Sequence, residues 1–139
     1  MKFEYLTDVN SKTTSGQSKK RPVVEITISH GSKSREYLAV IDSGADVTTM
    51  SAEVAEVFGI DLSTCVRQRL LGISGVPQDS YVGYLDISVK KLNETLKLPV
   101  MFTEANIPIL LGQEGFFDQY RIKFEKDHDI FEVYRFNRD

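Results

Sequence analysis

The run Leu38-Ala39-Val40-Ile41 ends on Asp42, which is followed at once by Ser43 and Gly44. Four apolar residues in succession describe a strand packed into a core, and the glycine after them describes a turn. A carboxylate delivered by such a strand is costly to hold unless the protein uses its charge or its proton. Asp-Ser-Gly, or its Asp-Thr-Gly counterpart, occurs once in the chain. This junction constrains the fold, which must bury the run, and it outranks every other segment as a chemical site.

The surrounding pattern is one of short strands. Val24, Ile26 and Ile28 alternate with Glu25 and Thr27, the period of a half-buried strand, and His30-Gly31-Ser32-Lys33 turns the chain into a returning strand over 35–41. Ser51 suits the cap of a short helix reaching Phe58, with Gly59 as its stop. Strands are predicted over 65–73 and 79–90, with a bulge or bend at Gly83, and over 94–102, where Pro99 argues for an edge strand or an irregularity. Pro108-Ile109-Leu110-Leu111-Gly112 reads as a buried strand, and Glu114–Tyr120 as a short amphipathic stretch whose aromatics belong to the core. Segments 121–125 and 130–136 alternate around Asp127-His128-Asp129, a closing hairpin. Such spacing predicts an all-β, barrel-like domain with one or two short helices. Val40-Ile41-Asp42-Ser43-Gly44 and Ile109-Leu110-Leu111-Gly112 also echo each other, two apolar strands ending in glycine with a short helix downstream.

Composition narrows the function classes. A chain of 139 residues is expected to form one main domain, here residues 23–139, preceded over 1–22 by a terminal strand and a flexible arm. Residues 8–21 are rich in Ser, Thr and Lys without apolar period, so they read as a mobile arm or long loop. The net charge of -3 offers no footprint for nucleic acid or an anionic membrane, and Lys19-Lys20-Arg21 is read as a solvated cluster. Cys65 is the single cysteine, which suits a reducing cytoplasm. No signal-peptide core and no membrane-length apolar stretch is present, so a soluble cytoplasmic protein is expected. Two histidines in separate turns and one cysteine provide no zinc-ligand spacing, and no metal or cofactor is expected.

Three segments together resemble the retropepsin-like aspartic proteases: Ile41-Asp42-Ser43-Gly44-Ala45-Asp46, then Gly72-Ile73-Ser74-Gly75 at flap spacing, then Ile109-Leu110-Leu111-Gly112. The resemblance covers roughly residues 23–136, and its continuation Gln113–Asp118 looks like cellular members more than viral ones. It implies a single-lobe acid-protease barrel that works as a homodimer on a polypeptide substrate. Hydrolysis by this route needs two carboxylates sharing one proton, and the chain supplies one, so the second must come from another copy.

By the same resemblance Asp42 is the catalytic acid and base. Ser43 braces the dyad across the dimer axis, Gly44 lets backbone pass close to the carboxylates, and Ala45 adds no hydroxyl beside them. With fewer donors to the ionised form, the working pH is expected to be mildly acidic to neutral. Asp46 is a substrate-backbone contact or a turn cap, and Gly72, Ile73, Ser74 and Gly75 form the tip of a flap closing over the peptide. Gln113 stands where the family places an arginine brace, and Pro77 departs from its flap pattern. Both departures keep an alternative in play, a catalytically inactive dimerisation or peptide-binding module. The terminal segments 2–6 and 130–136 are expected to join a sheet between the two copies.

Overall fold

Alternation decides which face of each strand is buried. Val24, Ile26 and Ile28 are at most 2% exposed, whereas Glu25 between them faces solvent. The computed structural model describes residues 1–71 and 77–136. In chain order its strands are β1 (Lys2–Glu4), β2 (Leu6–Lys12), β3 (Ser18–Arg21), β4 (Val23–His30), β5 (Lys33–Ile41) and β6 (Thr48–Ser51). Helix α1 (Ala52–Val57) follows, then β7 (Val66–Leu71), β8 (Pro77–Val89), β9 (Thr95–Thr103) and β10 (Ile109–Leu111). Helix α2 (Phe116–Gln119), β11 (Tyr120–Glu125) and β12 (Ile130–Arg135) complete the chain. Ser51 caps α1 by accepting from the Glu53 amide, and Gly59 sits at φ +70°, as the stop signal required.

Seven strands form one sheet in the order β4-β5-β10-β6-β9-β8-β7, and an added pairing of β4 with β8 closes it on itself. Inside lie Met50, Val100, Phe102 and Leu111, none of them measurably accessible. A second sheet, β1-β12-β11, packs below through Phe131, whose ring stacks on Phe3 at 5.3 Å and meets Tyr5 edge-on at 5.6 Å. Phe116 and Tyr120 are buried in the same core, as their pattern suggested.

Three expectations need correction. Residues 8–21 are a paired hairpin and no loop: Leu6 faces Arg21, Thr7 faces Lys20 and Lys12 faces Ser18, around a turn at Gly16 with φ +86°. Leu6 and Val9 are its large apolar residues, both exposed and three apart, so pairing made of backbone bonds and ion pairs leaves no apolar period to read. Of the bulge or bend expected at Gly83, the bulge is absent, since β8 and β9 stay in register from Ser80 to Ser88. A Cβ there would come within 3.2 Å of Phe102 Cε2 and 3.6 Å of Cys65 Sγ, so any larger residue requires the Phe102 ring to shift by a few tenths of an ångström.

Pro99 lies in an interior strand, between β6 and β8. Strand β6 begins opposite Val100, so Pro99 sits at the end of that ladder and has a strand partner only on the β8 side, at Tyr84. Strand β12 is flanked by strands of its own chain, β1 and β11, which form the open edges of that sheet among the described residues.

Candidate active site

The sequence echo between residues 40–44 and 109–112 becomes a contact in space. Strand β10 runs parallel to β5, with Leu110 beside Val40 and Leu111 beside Ile41. On its other side it pairs with β6 through Leu110 and Thr49. The loop that joins β5 to β6, residues 42–47, therefore arches over the end of β10. Each step of that arch is tied down. The Asp42 amide donates to Leu111 O at 3.0 Å, the Gln113 amide to Ala45 O at 2.9 Å, and the Glu114 amide to Asp46 O at 2.9 Å. Within the loop the Ala45 amide closes a turn onto Asp42 O at 3.2 Å.

At the centre is Asp42, half-buried, with Ser43, Gly44 and Asp46 exposed around it and Ala45 half-buried. The Gly44 amide donates to Asp42 Oδ1 at 2.8 Å, and a Cβ on Gly44 would lie 3.2 Å from that same oxygen. Glycine thus lets the backbone lie against this carboxylate. Among the described residues this is the one hydrogen bond that the carboxylate accepts. An oxygen remains for a partner, a water or a substrate.

Gln113 is a brace, though at a different point than its position suggested. Its side-chain amide donates to Ser43 O at 2.7 Å, holding the loop by a backbone carbonyl in place of the Asp46 carboxylate. Gly112 is tighter still. A Cβ there would fall 2.6 Å from the carbonyl carbon and oxygen of Val47 and 2.7 Å from Ala45 O. Gly72, Ile73, Ser74 and Gly75 lie outside the described residues. The strands on either side of them are paired, Leu71 opposite Pro77 and Arg67 opposite Tyr81.

A cleft of about 760 Å³ opens beside Asp42, lined among others by Leu38, Val40, Pro108 and Leu110. Sequence reading assigned these residues to strands without a role. The available signal was that Leu38 to Ile41 is apolar on both faces of β5: Ala39 and Ile41 go inward at 1% and 3% exposure, while Leu38 remains 57% exposed. Among the described residues no group of three or more His, Cys, Asp or Glu is placed to hold a metal ion. No described helix is long and apolar enough to cross a membrane.

The base of the β7–β8 hairpin is cross-linked by charge. Arg67 Nη2 reaches Asp79 Oδ2 at 2.6 Å, and Arg69 Nε lies 3.5 Å from Asp79 Oδ1. The hydrogen bond from Arg67, more than any other cause, holds the Asp79 carboxyl below its ordinary 3.8. A depressed carboxyl contributes stability that is complete above its unfolded pKa and fades as pH falls through the folded value. Amide protection in β7 and β8 is therefore expected to weaken below about pH 4, and in Asp79→Asn to be weaker already at neutral pH and less sensitive to acid. Equal protection of both proteins at pH 6, measured by hydrogen exchange, would remove this ion pair from the account.

A sequence model of the aspartyl protease family matches residues 23–114, more than half of the chain. No curated protein matches the sequence. Among solved structures, a retropepsin-like aspartic protease from Rickettsia conorii is similar at a TM-score of 0.59 and 14% identity, over 96% of this chain and 98% of that one. The EIAV protease in complex with an inhibitor matches at a TM-score of 0.44 and 18% identity, over 68% of this chain and 84% of that one. At 14% identity the Rickettsia likeness establishes the fold, an all-β single lobe of retropepsin type with two short helices.

Proposed function

We propose, from the premise that this chain belongs to the aspartyl protease family, that it is an endopeptidase whose dyad is Asp42 from each of two identical copies. The observation that carries this is the Asp42 loop itself, a half-buried carboxylate held from below by β10 and bonded on one side to the Gly44 amide. One copy holds a single such acid, and a single acid cannot serve as base and proton donor at once.

In the assembled pair the two carboxylates hold one proton between them, because like charges in contact do not both ionise. The ionised member takes a proton from water as its oxygen attacks the scissile carbonyl carbon. The protonated member donates to the carbonyl oxygen. Collapse of the tetrahedral intermediate breaks the C–N bond: the leaving nitrogen takes a proton from one acid while a hydroxyl of the intermediate gives its proton to the other, which frees the carboxylic acid and amine and restores the single shared proton. Ser43 braces the two loops across the axis, Ala45 keeps hydroxyls away from the acids, and Asp46 at the loop's exposed end contacts substrate backbone. The segment Gly72-Ile73-Ser74-Gly75 closes over an extended polypeptide, which pairs as a strand in the cleft. No cofactor enters this chemistry, and the lone Cys65 suits a reducing cytoplasm.

A mixing experiment tests the shared dyad. When subunits exchange freely with an equal amount of Asp42→Asn, only about a quarter of the dimers carry two acids, and cleavage of an unstructured protein should fall to about half. A ninefold excess should cut it to roughly one tenth. Activity unmoved by the added variant would mean that each chain works alone. A dimer inert with or without the substitution would leave the binding-module reading standing.

A further inference from the structure

The basic run near the N-terminus and the closing hairpin meet in space. Lys19, Lys20 and Arg21 lie on β3, and the turn between β11 and β12 brings Lys126 and Asp129 to the same place. With Ser18 and the turn of the β2–β3 hairpin they line a cavity of about 320 Å³. None of its lining residues falls within 23–114, the span that matches the family. The cavity is also distinct from the cleft beside Asp42, with Arg21 as the wall between them.

Asp129 organises the cations. Its two carboxylate oxygens take different partners: Oδ2 lies 2.8 Å from Lys20 Nζ, and Oδ1 lies 3.0 Å from Lys126 Nζ. The hydrogen bond from Lys20, then that from Lys126, holds this carboxyl below its ordinary range, so the bridge stays ionised at neutral pH. Two ammoniums that would repel each other are thereby fixed side by side, each with further N–H groups to donate. The Tyr5 ring, its centroid 5.3 Å from Lys126 Nζ, steadies that side chain further.

Charge decides what fits. Arg21 is neutralised by Asp8 at 3.2 Å. Lys19, Lys20 and Lys126 then stand against the single carboxylate of Asp129, a surplus of two positive charges in a protein whose net charge is -3. Ser18 Oγ accepts from Lys12 Nζ at 2.9 Å, which leaves its own proton to donate and brings in a fourth ammonium. Ammoniums and a hydroxyl held in fixed places suit a compact oxyanion of two or more charges, able to touch several donors at once. As a sequence, Lys19-Lys20-Arg21 reads as a solvated run; its partner Asp129, 109 positions from Lys20, joins it only in the fold.

We propose that this cavity binds a diphosphate group, free or carried by a nucleotide, with Lys19, Lys20 and Lys126 as its donors. The site stands whether or not Asp42 is a catalytic acid, because none of its parts touches that loop.

The test is calorimetric titration of the full chain at neutral pH and constant ionic strength, with pyrophosphate, ADP and citrate as probes. Pyrophosphate is expected to bind saturably with a Kd of about 1 mM or below, and citrate about tenfold more weakly. ADP binding at least as tightly as pyrophosphate would support the site and name a nucleotide as the source; weaker binding of ADP would support it with the free anion as the source. Lys19→Gln and Lys126→Gln should each weaken pyrophosphate about tenfold, the loss of one charge-assisted contact. Among the described residues the Lys19 ammonium has no hydrogen-bond or ion-pair partner, so its variant empties the site of one charge without loosening the hairpin. Lys97→Gln, on β9 and outside the cavity, should leave the affinity unchanged. The proposal is overturned if pyrophosphate shows no saturable binding, if citrate binds as tightly, if either cavity variant keeps full affinity, or if Lys97→Gln weakens binding equally.

Discussion

Asp42→Asn is expected to lower kcat for peptide hydrolysis by roughly four orders of magnitude while leaving fold and solution mass unchanged. The two halves of this expectation have separate causes. Asparagine has no proton to trade at working pH, so the pair loses both its base and its acid. The local structure, however, asks little of the charge. The described bond to the carboxylate comes from the Gly44 amide, and asparagine Oδ1 accepts it as well. Chain direction at this point is set by the Asp42 amide on Leu111 O and by the turn from Ala45, both backbone bonds that the substitution leaves in place. Side-by-side cleavage of an unstructured protein, with mass in solution and thermal unfolding of both forms, checks it. Residual hydrolysis within tenfold of wild type would exclude Asp42 as the reacting acid.

Gly112→Ala is expected to cost about 3 kcal/mol of stability, a drop in Tm on the order of 10 °C, and to cost activity as well. The added methyl would sit 2.6 Å from Val47 C and O and 2.7 Å from Ala45 O. Those are backbone atoms, which cannot rotate aside as a side-chain tip can. Relief must come from moving either β10, which is clamped between β5 and β6, or the 42–47 loop that holds Asp42. Gly44→Ala meets only Asp42 Oδ1 at 3.2 Å, so its loss should fall on activity more than on stability. Thermal unfolding of the two variants together separates these effects. Equal melting temperatures for wild type and Gly112→Ala would show that the loop yields freely, against everything its hydrogen bonds suggest.

Much of the site was legible early because its signals are local. An apolar run ending on Asp42 and a glycine two residues later need no tertiary information, and the hairpin from Val24 to Ile41 and the cap and stop of α1 followed from alternation and capping chemistry, whereas β6 did not. The hairpin at 6–21 was illegible for a physical reason: its stability comes from backbone pairing and from Asp8, Arg21, Lys20 and Asp129, which lie up to 109 positions apart and leave no period. Gln113 shows the same limit on a smaller scale. Its residue type announced a lost arginine, but only the folded chain brings its amide to Ser43 O.

The amino-acid order by itself determined most strands from Val24 onward, the closing hairpin and Asp42 as the candidate acid, since periodicity and turn preference act between neighbours. Tertiary structure alone decided that β10 enters between β5 and β6, that Gly112 has no room for a methyl, and that Leu6 and Leu38 line one cleft beside Asp42. Those outcomes depend on backbone approaching backbone across tens of residues, and spacing along the chain carries no record of such distances.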